Sequence, residues 1–312
     1  MTLADLLAAY RAAGGEKVTG VVEVLLHSHQ RKPMRGGREF EILMISDATD
    51  QLEAKDFNCA TAAIDHPKYL RVTLNVENYK GAPSAVVDAV APMPLPVDEM
   101  QFVAIDHELI ARSRREWEAA VDSLRPLSPY KRLVEAMFDE QTMEDFFLWP
   151  AAVKNHHNFP GGLAAHTMEV LRYARSLAQA DDLPYDPDLL TAGCLIHDIG
   201  KIEEYSKPPR VGRALGGELA YHLAFAHVRL GKAVAVCRAA GHDIPDIVVW
   251  QLMHLIEQSH GAHRQDTARQ PVGKEARCLA GGDEMSARSA PTDREQTVLD
   301  GIAQAHEDTF PF

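Results

Sequence analysis

The sequence predicts an α+β protein of two domains, a small β-barrel followed by an all-α bundle. Three observations carry that expectation. The chain has 312 residues, more than one domain at roughly 150 residues each. Five short stretches between residues 18 and 90 are rich in β-branched residues or alternate with a period of two. From about residue 106 the apolar spacing becomes helical and stays so.

Leu3, Leu6, Leu7 and Tyr10 recur at helical spacing and Gly14-Gly15 ends the run, which sets an N-terminal helix within residues 1–15. Asp5 and the lack of a basic stretch make this a helix, not a signal peptide. Val18 to Leu26 is the first strand. Phe40, Ile42 and Met44 alternate with Glu41, Leu43 and Ile45 in the second, Asp47 to Asp50 is a turn, and Leu52 to Phe57 is a short third strand. Leu70, Val72, Leu74 and Val76 alternate with Arg71, Thr73, Asn75 and Glu77, a half-buried strand. After the Gly81-Ala-Pro83 turn, Ser84 to Val90 is the fifth. Five short strands suit a small barrel, and residues 16–95 are read as that domain. Pro92, Pro94 and Pro96 stiffen the connector; residues 96–127 are linker and helix. Ser128-Pro129 is an N-cap followed by proline in the first helical turn, and residues 128–312 form the second domain. Within it Leu163–Ala180, Asp188–Ile199, Glu218–Ala240 and Asp246–Gln258 carry helical periodicity. Pro208-Pro209 with Gly212, Gly216 and Gly217 marks an irregular loop.

Composition narrows the function classes. Hydrophobic residues at 46% and charged residues at 25% exclude general disorder. The net charge of −13 excludes coating of duplex DNA by bulk charge, while leaving room for a local basic groove. Cys59, Cys194, Cys237 and Cys278 form no C-x-x-C pair, which argues for reduced thiols in a cytoplasmic protein rather than a disulfide scaffold or zinc ribbon. No apolar run reaches the length of a membrane span, so no membrane partner is expected.

The chemistry is expected among the 15 histidines. His166, the pair His197-Asp198, His222, His260 and Asp283 are spread over the helical half. Imidazoles with carboxylates suit a first-row divalent ion better than calcium, and Asp198 can bridge two such ions. A His-Asp pair alone says little: His242-Asp243 follows Gly241 in an interhelix turn and reads as a chance match. What sets His197-Asp198 apart is the apolar run LLTAGCLI leading into it, where two polar side chains are costly unless something satisfies them. Any one of these histidines alone is more readily a hydrogen-bonded core or surface residue.

The run Asn155 to Leu163 with His166-Thr167, the stretch HDIGKIEE (197–204), His222 spaced from Gly217 and Leu219, and PVGKEARCLAGGDEMSA (271–287) together resemble the HD-domain metal-dependent phosphohydrolases. The likeness is closer to their YhaM-type 3′→5′ exoribonuclease branch, in which an OB-fold precedes the HD domain; ISDATD (45–50) is similar to a turn of that OB-fold. The resemblance implies an OB-fold-like barrel that binds nucleic acid, an HD bundle that cuts, and release of nucleoside monophosphates from single-stranded RNA or DNA. It implies one or two divalent transition ions, manganese first, with cobalt, iron, nickel and zinc as alternatives, and a homo-oligomer. His166, His197, Asp198 and Asp283 would ligate one ion; Asp198, His222 and His260 would ligate the other.

Several positions stay open. Ser259 stands where the branch has a histidine, with His260 or His254 as substitutes, and His227 rivals His222 five residues along one helix. Asp198, Lys201 and His157 are the candidate catalytic residues: Lys201 facing a phosphate or merely solvated, His156 and His157 contacting phosphate, acting as acid, or inert in a loop. Glu203 and Glu204 read as a surface acidic pair rather than partners of the ligand histidines. In the barrel, Arg31, Lys32, Arg35 and Arg38 read as a basic loop before the Phe40 strand, with no acid among residues 28–38. Phe40, Phe57, Tyr69 and Tyr79 are stacking platforms or core. Two other functions compete: a phosphohydrolase of small or cyclic nucleotides, and a nucleic-acid-binding protein with a degenerate metal site.

Overall fold

Thr2 and Asp5 open the first helix, α1 (Leu3–Ala12), with a reciprocal cap: the Asp5 N–H donates to Thr2 Oγ1 at 3.1 Å and the Thr2 N–H to Asp5 Oδ2 at 3.0 Å. The computed structural model describes residues 1–34, 37–61, 68–153, 157–209, 212–261 and 270–288. One unit begins at Met1 and runs to Ile105; a second begins at Asp106.

In the first unit β1 (Val18–Pro33), β2 (Glu39–Ser46), β3 (Gln51–Asp56), β4 (Lys68–Tyr79) and β5 (Ala82–Pro92) close into a barrel in the order β1-β2-β3-β5-β4. Among the described residues only the β3–β5 pairing is parallel. Leu70, Val72, Leu74 and Val76 point inward and are buried, while Arg71 faces out and pairs with Glu23 at 2.6 Å. Leu3, Leu6 and Tyr10 of α1 enter the same core. The ISDATD turn holds that helix: Asp47 Oδ2 accepts the Leu3 N–H at 2.6 Å, and Oδ1 accepts the Thr49 and Asp50 N–H groups.

One expectation needs correction here. β1 continues past a bulge between Leu26 and Ser28, so Arg31 and Lys32 are strand residues opposite Glu41 and Phe40, not part of a loop. Pairing with an acid and an aromatic across the strand stabilises extended backbone where local composition reads as a turn. Arg35 lies outside the described residues. β3 also starts and ends one residue earlier than expected.

The second unit is helical: α2 (His107–Ser123), α3 (Pro129–Met137), α4 (Glu140–Phe146), α5 (Gly162–Ala178), α6 (Pro187–Ile196), α7 (Lys201–Glu204), α8 (Leu215–Leu219), α9 (His222–Ala239), α10 (Asp246–Gln258) and α11 (Lys274–Ala287). Ser128 Oγ caps α3 by accepting the Lys131 N–H at 3.2 Å. From Leu189 to Ile196 every residue of α6 is buried, and all but Thr191 are apolar. The helix expected to reach Ile199 ends at Ile196, and His197 to Gly200 turn into α7. The helix expected over Glu218–Ala240 is two, α8 and α9, because Ala220 and Tyr221 are extended. α5 and α11 run close: a Cβ on Gly282 would meet the Val170 carbonyl oxygen at 2.8 Å. That approach sets Asp283 beside His166.

Candidate metal centre

Five places in the helical unit converge. α5 supplies His166, the turn after α6 supplies His197 and Asp198, α9 opens with His222, the segment after α10 carries His260, and α11 supplies Asp283. His166 Nε2 lies 3.1 Å from both Asp198 Oδ2 and Asp283 Oδ1. His197 Nε2 is 3.4 Å from Asp198 Oδ2. On the other side Asp198 Oδ1 is 3.4 Å from His222 Nε2, which is 3.2 Å from His260 Nε2. Among the described residues two groups could hold a metal ion, His166, His197, Asp198 and Asp283 in one, Asp198, His222 and His260 in the other. Asp198 belongs to both.

The three most buried imidazoles are held by their far nitrogens. His197 Nδ1 is 2.8 Å from the Cys194 carbonyl, an acceptor only, so Nδ1 carries the proton. His222 Nδ1 is 2.5 Å from Glu204 Oε2, which also accepts the His222 N–H at 3.1 Å. His166 Nδ1 is 2.9 Å from Ser286 Oγ. Each Nε2 therefore faces the cluster. His166 Nε2, His197 Nε2 and Asp198 Oδ1 are buried without a well-formed hydrogen bond, and Asp198 Oδ2 is met by Lys201. Orphaned polar atoms of this kind are costly unless a cation satisfies them, and the nitrogen and carboxylate donors fit a first-row divalent ion.

Charge in the cluster is tightly set. Burial works against the Asp198 carboxylate, yet Lys201 and His197 hold it well below the usual carboxylate range, with Lys201 Nζ 2.5 Å from Oδ2. Burial likewise opposes the Lys201 ammonium, and Asp198 outweighs it, so that pKa is raised. His166 is raised too: burial would lower it, and the Asp198 and Asp283 carboxylates reverse the sign. Burial pushes His260 down to about 4, leaving a neutral imidazole. A cavity of about 580 Å³ opens over the cluster, walled by His157, Lys201, Tyr205, Arg213 and Tyr221.

The open positions now have places. His222 is in the cluster, whereas His227 pairs with Glu257 at 3.2 Å. Ser259 turns its Oγ back to the Ile256 carbonyl, and His260 joins the second group; His254 accepts the Val272 N–H and stays outside it. His242 lies against Arg132. Lys201 is buried against Asp198, not solvated. Glu204 is a correction: it is fully buried on His222 rather than on the surface, while Glu203 pairs with Arg229. His156 lies outside the described residues.

In the barrel the basic run is partly neutralised, because β2 brings Glu39 and Glu41 within 3.6 Å of Arg31. Phe40 stacks on the exposed Phe57 at 5.3 Å, and Tyr69 packs on Phe102 at 4.9 Å. Tyr79 is 54% exposed, with Lys55 and Lys80 over its ring. Sequence reading missed Tyr205, Arg213 and Tyr221 in the cavity wall, and Glu169 and Ser286. The last two sit one turn beyond His166 and Asp283, a spacing that marks a shared face.

The HD domain family model matches residues 163–304. The chain is similar to the 3′-5′ exoribonuclease YhaM of Bacillus subtilis (strain 168), 27% identical over 282 residues, covering 87% of this chain and 85% of that protein. YhaM of Bacillus velezensis is 28% identical over 280 residues, with coverage of 86% and 85%. YhaM of a Geobacillus species is 27% identical over 292 residues, with coverage of 90% and 85%. The chain thus carries an HD-domain fold homologous to the YhaM-type exoribonucleases, and its buried His/Asp cluster supports a metal-dependent hydrolase.

Proposed function

We propose that the protein is a metal-dependent 3′→5′ exonuclease that releases nucleoside monophosphates from single-stranded RNA or DNA, with manganese its preferred ion. The observation that supports this most is the shared Asp198, where two ligand groups meet at the floor of a cavity walled by Lys201, Arg213 and His157. His166, His197, Asp198 and Asp283 would hold one ion, and Asp198, His222 and His260 a second. Such ions polarise a water and neutralise charge on a phosphoryl group. Lys201, kept charged by Asp198, offers its ammonium to a phosphate oxygen. Arg213 offers a half-exposed guanidinium to the neighbouring phosphate. In its imidazolium form, with the Nε2–H turned to Glu169, His157 would hand its Nδ1 proton to the 3′-oxygen that leaves as the terminal nucleotide is cut away.

In this reading the strand lies on the Phe40–Phe57 stack and on Tyr79, with Lys32, Arg38, Lys55 and Lys80 as cations. Arg31 contributes less, being engaged by Glu39 and Glu41. The unpaired cysteines support a cytoplasmic, reducing setting. The exposed Ile247, Trp250 and Met253 of α10 support association of copies into a homo-oligomer.

The test is a 5′-labelled oligoribonucleotide incubated with the full chain and Mn²⁺. We expect a ladder shortening from the 3′ end by single nucleotides, abolished by chelation. An intact substrate across manganese, cobalt, nickel, zinc and magnesium overturns the proposal. The cavity volume also suits a free or cyclic nucleotide, and turnover of those without oligonucleotide cleavage selects that second reading. A decayed metal site finds less support, since His260 completes the group that Ser259 leaves short.

A further inference from the structure

We infer that Glu169 is a positioning residue that acts in two directions, orienting the ligand His166 through Ser286 and orienting His157 at the cavity wall. The inference rests on the reading of the cluster as the metal site of a phosphodiesterase. Glu169 is on α5, one turn after His166, and Ser286 is on α11, one turn after Asp283. Glu169 Oε2 lies 3.0 Å from Ser286 Oγ and 3.2 Å from His157 Nε2. Ser286 is fully buried, and its Oγ is 2.9 Å from His166 Nδ1.

The proton inventory has one solution. Glu169 is held ionised: burial opposes its charge, and the His157 and Ser286 contacts outweigh it. An ionised carboxylate only accepts, so the Ser286 hydroxyl donates to Glu169 and its lone pair receives the His166 Nδ1–H. His166 Nε2 is thereby left bare toward the cluster. From the other side the His157 Nε2–H donates to the same carboxylate oxygen.

His157 is also clamped by its backbone. Its φ is +62°, in the left-handed region that a residue with a Cβ seldom adopts. Its carbonyl accepts the Ala151 N–H at 2.8 Å. A Cβ on Gly162 would meet that carbonyl oxygen at 2.0 Å, so the loop closes here only on glycine. Strain of this kind persists where surroundings over-determine a residue, as they do at functional sites. Glu169 supplies the side-chain restraint that completes the clamp.

The two branches are separable by experiment in the full chain. Mn²⁺ affinity is read by calorimetry on chelator-stripped protein. Turnover at saturating Mn²⁺ is read on two substrates, an oligonucleotide and a nucleoside 5′-(4-nitrophenyl phosphate) whose nitrophenolate leaves without help from an acid. Ser286→Ala cuts only the His166 branch. We expect its Mn²⁺ affinity to fall about 10- to 100-fold, with any kcat change at saturation the same on the two substrates. Glu169→Ala cuts both. We expect the same affinity loss, a kcat loss on the oligonucleotide of about 100-fold or more, and a loss under roughly tenfold on the nitrophenyl ester. Glu169→Gln, whose amide oxygen can still accept from both donors, recovers most of the affinity and covers the case that Glu169→Ala does not fold. Unchanged Mn²⁺ affinity in Ser286→Ala overturns the first branch. Equal losses on both substrates in Glu169→Ala overturn the second. If the unaltered protein cleaves no oligonucleotide, the exonuclease reading fails and takes the His157 branch with it, while the Mn²⁺ affinities still decide the His166 branch.

Discussion

Asp198 bears the most weight of any single side chain, because it is the one residue common to both ligand groups. Replacing it by asparagine removes the anionic donor from both, whereas His260→Asn touches only the second. We predict that Asp198→Asn loses all bound Mn²⁺ and that His260→Asn retains one equivalent, as read by elemental analysis after gel filtration. An Asp198→Asn protein that keeps two equivalents contradicts the arrangement. The pair His197-Asp198 was legible as a candidate because it follows an apolar run, where burial without a partner is costly, and the other members of the cluster came from the family resemblance. Their supporting residues were not legible. Glu204 and Glu169 are charged residues in helical stretches, and such residues read as solvent-facing until tertiary packing buries the first and half-buries the second. His222 and His227 could not be ranked by spacing, since which face of α9 turns inward depends on its start at Tyr221, and the break at Ala220 has no marker in the sequence.

At the scale of elements the start of α3 was readable from Ser128-Pro129, because a cap is a local event, while the caps of α4 and α6 were not picked out. Ser128, Asp139 and Asp186 each accept backbone N–H groups of the helix that follows. Asp139 gives a prediction with a pH signature. Its carboxylate accepts from Thr142, whose side chain and backbone N–H hold its pKa below the ordinary 3.8. A lowered folded pKa means that the stabilisation is fully present above the unfolded value and is lost as pH falls through the folded one. Asp139→Ala should cost about 1 kcal/mol, or about 2–4 °C in Tm, at neutral pH. The difference from the unaltered protein should narrow below about pH 4. A gap that stays constant down to pH 3 would show that the ionised cap is not the cause. Strand ends were less readable: β1 keeps its pairing through Arg31 and Lys32 because β2 presents Glu41 and Phe40, a long-range fact absent from the local run.

For the molecule as a whole, a net charge of −13 sets a condition on any nucleic-acid partner: attraction must come from a local cationic and aromatic surface, not from the average field. The barrel offers one at Tyr79, Lys55 and Lys80. Replacing both lysines by alanine should weaken oligonucleotide binding and flatten its salt dependence by roughly 0.7 in log–log slope per cation removed. Tyr79→Ala should cost about 1–3 kcal/mol of binding through lost stacking. Hydrolysis of the nitrophenyl ester should be untouched by all three changes. Fluorescence anisotropy across a salt series checks this, and an unaltered slope would move the strand elsewhere.

The far-nitrogen anchors of His166, His197 and His222 carry one more consequence. With each ring locked by Ser286, the Cys194 carbonyl or Glu204, the cluster has little to rearrange on binding a cation. Occupancy then follows the free concentration of the ion without refolding of the surrounding helices. Amide exchange around the cluster should be nearly the same with and without Mn²⁺, and broad loss of protection on chelation would show that the cation itself organises these helices.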